Sequence, residues 1–159
     1  MNSFKSFISL ISLSFSISIF ADYTVETSSG ITDGYKTGKV INWDDIPYAK
    51  PPIEDLRWKA PRKIDNPNNL IISKDYNYCV QRPSSLGGPG GEGIFVGTED
   101  CLYLDISAPV KNKSELLPVM FWIHGGGNTS GLKDLYDFKK MVSRHNVVVV
   151  RINYRLGPF

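Results

Sequence analysis

Pro-Val-Met-Phe-Trp-Ile-His-Gly-Gly-Gly-Asn-Thr-Ser-Gly, residues 118–131, is the stretch that decides the fold. Val119 to Ile123 is an apolar run rich in β-branched and aromatic residues, which predicts a strand buried on both faces of a parallel sheet. Three glycines follow His124, and glycine lets a ligand approach the main chain closely. We expect a turn with free backbone N–H groups, the arrangement that holds an oxyanion. Residues 124–131 are called the glycine turn below.

The composition describes one ordinary globular domain or part of a larger one. The chain has 159 residues, of which 42% are hydrophobic, and a formal net charge of +2. It contains no run of lysines or arginines, so the composition gives no support for a nucleic-acid partner. So small a charge gives no argument for an anionic membrane surface either.

Residues 1–21 have the features of a secretory signal peptide. Lys5 supplies a positive charge, Phe7 to Phe20 is apolar apart from serines, and Ala21 offers a small residue at a cleavage point. The alternative is an uncleaved membrane anchor, but the run is short of the ~20 residues that a spanning helix needs. We therefore predict cleavage, no stable membrane span, and a secreted or periplasmic protein.

Cys79 and Cys101 are the only cysteines. In a cytosolic protein they would be unrelated core thiols, but behind a signal peptide an even pair favours one disulfide. Closing that loop would contribute about 3 kcal/mol in the chain-entropy model. Two cysteines without nearby histidines make a poor metal site, so neither a metal nor a cofactor is expected.

The region from residue 22 to about residue 69 predicts short strands and turns. Ser29-Gly30 and Asp33-Gly34 are hairpin signals, and the second favours a two-residue turn. Lys39 to Trp43 predicts another short strand. Residues 46–52 are too proline-rich for a helix or a central strand.

The second half of the chain predicts an α/β arrangement. Residues 102–108 alternate between apolar and polar side chains, which indicates a half-buried strand. After the glycine turn, apolar residues at helical spacing predict one long amphipathic helix with a core-packing stripe: Leu135, Phe138, Met141 and Val142. Residues 147–152 predict a second buried strand, and strand, helix and strand make a parallel βαβ unit.

Glycine-rich turns between a strand and a helix also bind phosphates. Gly126 and Gly131 have the Walker-A glycine spacing, but Leu132 stands where lysine is required. A dinucleotide fingerprint that used Gly125 would need a glycine where Ser130 stands. Both nucleotide interpretations fail, which leaves an oxyanion turn or a tight turn with no catalytic task.

These residues together resemble the type-B carboxylesterase/cholinesterase-like family of the α/β-hydrolase superfamily. The resemblance implies that the chain is the N-terminal part of an α/β-hydrolase fold. The matching pieces occur in family order across nearly all of residues 22–159: Ile-Pro-Tyr-Ala at 46–49, Pro-Pro at 51–52, Leu-Arg-Trp at 56–58, Cys79 with Gln81, Glu-Asp-Cys-Leu-Tyr-Leu at 99–104, residues 118–127, and Asn-Tyr-Arg-Leu-Gly at 153–157.

The resemblance also implies residue roles. The amides of Gly126 and Gly127 would form part of an oxyanion hole, with His124 and Gly125 supporting the turn. Further roles are structural, and they comprise a first disulfide loop (Cys79 and Cys101), a salt bridge (Arg57 and Glu99), and an arginine with an acidic partner further along the chain (Arg155).

The hydrolase mechanism needs a serine on a Gly-x-Ser-x-Gly elbow, then an acid, then a histidine. No such elbow occurs in the 159 residues, and neither His124 nor His145 has a candidate serine and acid. We therefore expect residues 22–159 to be the N-terminal portion of a longer serine carboxylesterase acting on a small-molecule ester. The 159-residue polypeptide alone is expected to be inactive and either poorly soluble or molten.

Two departures from the family pattern bear on specificity. Phe95 is the only aromatic residue between Cys79 and Cys101, whereas cholinesterases of this kind place a tryptophan there to hold a quaternary ammonium group. A choline-ester preference is therefore disfavoured. Asn128 replaces the usual bulky apolar residue after the glycines. Two alternatives to an enzyme remain, a non-catalytic cholinesterase-like adhesion or recognition module and an inactive truncated remnant.

Overall fold

The structure, a computed structural model, describes residues 23–74, 77–85, 87–111 and 116–159. The predicted signal peptide therefore lies outside the described residues. Within them, no helix is both long enough and apolar enough to cross a membrane.

The described residues form two sheets and one α-helix. A two-stranded hairpin comprises β1 (Thr24–Thr27) and β2 (Gly30–Asp33). The larger sheet has the order β3-β4-β5-β7-β6, with β3 (Tyr35–Thr37), β4 (Val40–Pro47), β5 (Tyr103–Pro109), β6 (Val119–Ile123) and β7 (Val148–Ile152). Helix α1 is Lys139–His145, and short 3₁₀ turns occupy Glu54–Leu56 and Lys133–Leu135.

Only one of the two predicted N-terminal hairpins is present. The Ser29-Gly30 signal is confirmed, since Thr27 pairs with Gly30 across the β1–β2 turn. The Asp33-Gly34 prediction is wrong because Gly34 joins two different sheets. A Cβ at Gly34 would lie 2.5 Å from Nε1 of Trp43, so the chain passes the indole ring where no side chain fits.

Strand β4 is longer than predicted and is central in its sheet. It pairs with β3 on one side and β5 on the other, and its register shifts between Trp43 and Ile46. The prediction that residues 46–52 could not enter a central strand is wrong for Ile46 and Pro47. Pro47 takes the last strand position, where its missing N–H disturbs the ladder least.

Strand β6 is parallel to β7, as predicted, but its expected burial is wrong. It forms the edge of the sheet, and Val119, Phe121 and Ile123 are 57–62% exposed within the described chain. Strand β7 has a partner on each side, β5 and β6, which confirms its predicted place inside the sheet.

The predicted alternation in β5 is confirmed, and the side that carries the polar residues is the more buried one. Asp105 and Ser107 are buried, whereas Leu104 and Ile106 are only half-buried. Helix α1 packs on the Asp105 face of the sheet, where its fully buried Val142 contacts the core.

The predicted long helix is interrupted. A 3₁₀ turn ends at Leu135, and α1 begins only at Lys139, with Phe138 at its N-cap position. The side chain of Asp137 accepts a hydrogen bond from the Lys139 amide at 2.9 Å, which satisfies one of the free donors at the helix start. The helix therefore has seven residues, and His145 is its last.

An ionic cluster is buried beneath the sheet around Lys133, which is 3% exposed. Its ammonium nitrogen lies 2.9 Å from a carboxylate oxygen of Asp45 and 3.0 Å from one of Asp105. Arg151 adds a second cation, 2.9 Å from Asp105. The cluster joins the irregular part of β4, the centre of β5 and the segment that leaves the glycine turn.

Replacing Lys133 by methionine removes one of the two cations and takes an ionic partner from the buried carboxylates of Asp45 and Asp105. We expect the free energy of unfolding of the complete gene product to fall by about 3–5 kcal/mol, measured by urea denaturation. The control is Lys139→Met, because Lys139 forms a solvent-exposed pair with Asp137 and should contribute about 0–1 kcal/mol. Equal losses in the two variants would contradict the structural role of the buried cluster.

Candidate functional site

The glycine turn begins where β6 ends. The amides of Thr129 and Ser130 both donate to the carbonyl oxygen of Gly126, at 3.1 and 3.2 Å. Gly126 has φ 116° and Gly127 has φ 62°, values that L-residues rarely adopt. A Cβ on Gly126 would also overlap the carbonyl oxygen of Ser130. Glycine is therefore required at position 126 on two independent grounds.

Two amides of this turn are available to a ligand. Among the residues that the structure describes, none accepts a hydrogen bond from the N–H of Gly126 or Gly127. Both glycines are exposed, and nothing lies within 4 Å of the position that a Cβ would take on Gly127. Two successive unbonded N–H groups in open space can donate to one anionic oxygen.

His124 is buried beneath the turn, with 2% of its surface exposed. Its ring stacks on Tyr154 at a centroid distance of 4.2 Å, and Nδ1 lies 2.9 Å from the carbonyl oxygen of Gly125. Burial lowers the pKa of His124, and the hydrogen bond to Gly125 opposes this effect. The ring is therefore neutral near pH 7, with Nδ1 as the donor. Its role is to support the turn from below.

Residues that follow β7 hold the turn at two points. The hydroxyl of Tyr154 donates to the carbonyl oxygen of His124 at 2.6 Å, and the amide of Gly157 donates to that of Asn128 at 2.7 Å. The sequence indicated Tyr154 and Gly157 only as part of a matching motif. It showed no role for either residue, because both contacts span about thirty positions.

The far end of the turn is held by Gln81. Its side-chain amide makes two hydrogen bonds to the backbone of Gly131, at 2.7 and 2.9 Å. Cys79, two residues earlier, forms a disulfide with Cys101, and their Cα atoms lie 4.9 Å apart. The predicted pairing of the two cysteines is thus present, and it fixes the segment that carries Gln81.

Arg57 and Glu99 form an ion pair with two hydrogen bonds of 2.6 and 2.8 Å. The pair ties the segment after the first 3₁₀ turn to the disulfide loop. Arg155 donates to the carbonyl oxygen of Lys59 at 2.9 Å and makes no ion pair with any described residue. No group of three His, Cys, Asp or Glu side chains in the described chain could hold a metal ion.

Comparison with known proteins identifies the family. A sequence model of the carboxylesterase family matches residues 21–159, so the chain belongs to the carboxylesterase family. Its relatives include the para-nitrobenzyl esterase of Bacillus subtilis, 39% identical over 137 residues, which are 85% of this chain and 28% of that protein. The juvenile hormone esterase of Tribolium castaneum is 40% identical over 122 residues, which are 75% of this chain and 20% of that protein.

Solved structures agree with this assignment. A thermophilic para-nitrobenzyl esterase superposes with a TM-score of 0.75 at 37% identity, over 87% of this chain and 29% of that structure. A Geobacillus stearothermophilus carboxylesterase gives a TM-score of 0.70 at 34% identity, over 86% of this chain and 27% of that structure. The fold class predicted from the resemblance is confirmed. The chain spans less than a third of the length of these relatives.

The neutral state of His124 predicts a pH dependence of stability. Its folded-state pKa is lowered from the usual 6.5, so the unfolded chain binds the proton more readily. The stability that the neutral ring contributes is complete above about pH 7, begins to fall below the unfolded-state pKa of about 6.5, and is lost as the pH drops through the lower folded-state pKa.

We expect the free energy of unfolding of the wild-type gene product to fall more steeply between pH 7.5 and 5 than that of His124→Phe. A His145→Phe variant is the control for the second histidine. Urea denaturation at each pH gives the slopes. Equal slopes for wild type and His124→Phe would show that protonation of the buried ring has no cost.

Proposed function

We propose that the complete protein hydrolyses carboxylic esters through a serine acyl-enzyme, and that residues 22–159 contribute the oxyanion-hole turn. The observation that carries this proposal is the pair of exposed, unbonded amides at Gly126 and Gly127. Preorganised donors of this kind stabilise the charge that develops on a carbonyl oxygen in the transition state. Membership of the carboxylesterase family supports the same reaction.

In this mechanism a serine attacks the ester carbonyl carbon, and the alcohol leaves after a histidine gives it a proton. The amides of Gly126 and Gly127 bind the resulting oxyanion, and a third amide comes from the residue after the nucleophile. Water then attacks the acyl-enzyme, with the same histidine as base. His124 takes no part in proton transfer, because it is buried under the turn.

The nucleophile, the acid and the base must come from outside the 159 residues, which contain no Gly-x-Ser-x-Gly. We propose that residues 22–159 form an N-terminal portion of the hydrolase domain. The 159-residue polypeptide alone supplies two oxyanion donors and no nucleophile, so it should have no esterase activity.

The substrate in this proposal is a small ester, and a choline ester is disfavoured. The relatives include an acetylcholinesterase of Leptinotarsa decemlineata, 38% identical over 85% of this chain and 25% of that protein. The loop between Cys79 and Cys101 lacks tryptophan, and its one aromatic side chain, Phe95, is 61% exposed. We further propose secretion, since residues 1–21 have signal-peptide features and the only two cysteines form a disulfide.

The first experiment is to sequence the transcript beyond the codon for Phe159. An in-frame Gly-x-Ser-x-Gly would supply the missing nucleophile and support the proposal. A stop codon, or another residue at the serine position, would refute it. Another residue at the serine position would instead favour a cholinesterase-like recognition module.

Gly126→Ala tests the turn in the complete gene product. The new methyl group would overlap the Ser130 carbonyl and displace the donors, so we expect kcat for para-nitrophenyl acetate to fall by about 10²–10³. The matched control is Gly38→Ala, because Gly38 also has a positive φ, 61°, but lies in open space away from the site. Full activity of Gly126→Ala would contradict the assignment.

A further inference from the structure

Gln81 is buried, with 3% of its surface exposed, and its side-chain amide holds a residue fifty positions away. The oxygen Oε1 accepts a hydrogen bond from the Gly131 amide at 2.7 Å. The nitrogen Nε2 donates to the carbonyl oxygen of Gly131 at 2.9 Å and to that of Cys79 at 3.0 Å. The side chain thus binds both polar groups of one glycine backbone.

The peptide between Ser130 and Gly131 transmits this constraint to the glycine turn. The C=O and N–H of a trans peptide point in opposite directions, and none of the described peptides is cis. Because the Gly131 N–H points at Gln81, the Ser130 carbonyl is directed to the other side. That carbonyl lies directly against Gly126, where a Cβ would overlap it. Gln81 therefore orients the peptide on which Gly126 rests.

Gly88 and Gly131 both lie close to the Gln81 amide and leave it little room to move. A Cβ at Gly88 would lie 3.1 Å from Oε1 of Gln81, and a Cβ at Gly131 would overlap Nδ1 of His124. The amide of Gln81 is thus enclosed between the Gly88 backbone and the Gly131 backbone, and Gly131 in turn packs on the His124 ring. Rotation of the Gln81 amide would break its two hydrogen bonds to Gly131.

The backbone that carries Gln81 is itself fixed. Gln81 and Val96 exchange both backbone hydrogen bonds, at 3.0 and 2.8 Å. Cys79 forms a disulfide with Cys101, which lies two residues before the start of β5. The side chain therefore extends from a rigid base towards the glycine turn.

We propose that Gln81 is a positioning residue for ester hydrolysis, which holds the amides of Gly126 and Gly127 where they bind the oxyanion. This inference rests on the function proposed above for the turn. Gln81 touches no substrate and acts only through Gly131. A small displacement of donors that bind the transition state lowers kcat, while substrate affinity changes less.

Gln81→Glu is the sharpest variant, because it preserves size and the acceptor for the Gly131 amide. At pH 8 its carboxylate faces the carbonyl oxygens of Gly131 and Cys79 without a hydrogen atom to donate. We expect kcat of the complete gene product to fall by about 10²-fold at pH 8, with little change in KM. Burial and the two facing carbonyl oxygens disfavour the carboxylate and raise the pKa of this carboxyl, so acidification to pH 6 should restore a donor and raise the ratio of variant to wild-type kcat.

The matched control is Val80→Ala, which alters a half-buried neighbour and leaves the side-chain hydrogen bonds of Gln81 to Gly131 in place. Any fall in kcat of Val80→Ala measures a general loosening of the disulfide loop. Gln81→Leu completes the series, since it removes every side-chain hydrogen bond at similar size. If Gln81→Leu does not fold, Gln81→Glu still tests the proposal.

Amide hydrogen exchange gives a second readout that needs no activity. In Gln81→Leu and Gln81→Glu, but not in Val80→Ala, we expect faster exchange at Gly131 and across the glycine turn. The proposal requires both the fall in kcat and the faster exchange, and the absence of either overturns it. If the wild type has no esterase activity, the function proposed for the turn fails, and exchange alone then decides whether Gln81 positions it.

Discussion

The ammonium group of Lys133 is the point where the separate parts of this chain meet. Lys133 is 3% exposed, and its ammonium group lies between carboxylates of β4 and β5. The backbone amide of Lys133 donates to the side chain of Asn153 at 2.7 Å. A cation buried this deeply is tolerated only because its partners surround it. Lys133 follows the glycine turn by two residues, so the cluster that joins the strands also fixes where the chain leaves the turn.

The turn is held at three points by residues that are distant in sequence, and its own first side chain, His124, packs beneath it. Tyr154 and Gly157 bind it from the segment after β7, Gln81 binds its far end, and His124 fills the space below. None of these contacts uses the amides of Gly126 and Gly127. The surrounding structure therefore restrains the turn while its two donors remain available, which is the requirement for preorganised electrostatic stabilisation.

The sequence predicted features that depend on neighbouring residues and missed those that depend on distant ones. The glycine turn and the parallel pair β6 and β7 follow from local composition. Alternation in β5 showed two faces but not which face is covered, because the cations that neutralise Asp105 lie 28 and 46 positions away. The prediction of one long helix was wrong for a local reason. The side chain of Asp137 accepts a hydrogen bond from the Lys139 amide at the start of the new helix, and this signal was not recognised in the sequence. The Gln81 contact had no local signal at all.

The most direct test of the central claim is a crystal structure of the complete gene product after reaction with a para-nitrophenyl phosphonate. The phosphonylated serine would carry a tetrahedral centre with an oxygen in the place of the oxyanion. We predict that this oxygen lies about 2.7–3.1 Å from the amide nitrogens of both Gly126 and Gly127. A phosphonate oxygen bound elsewhere, with these two amides still unbonded, would contradict the account.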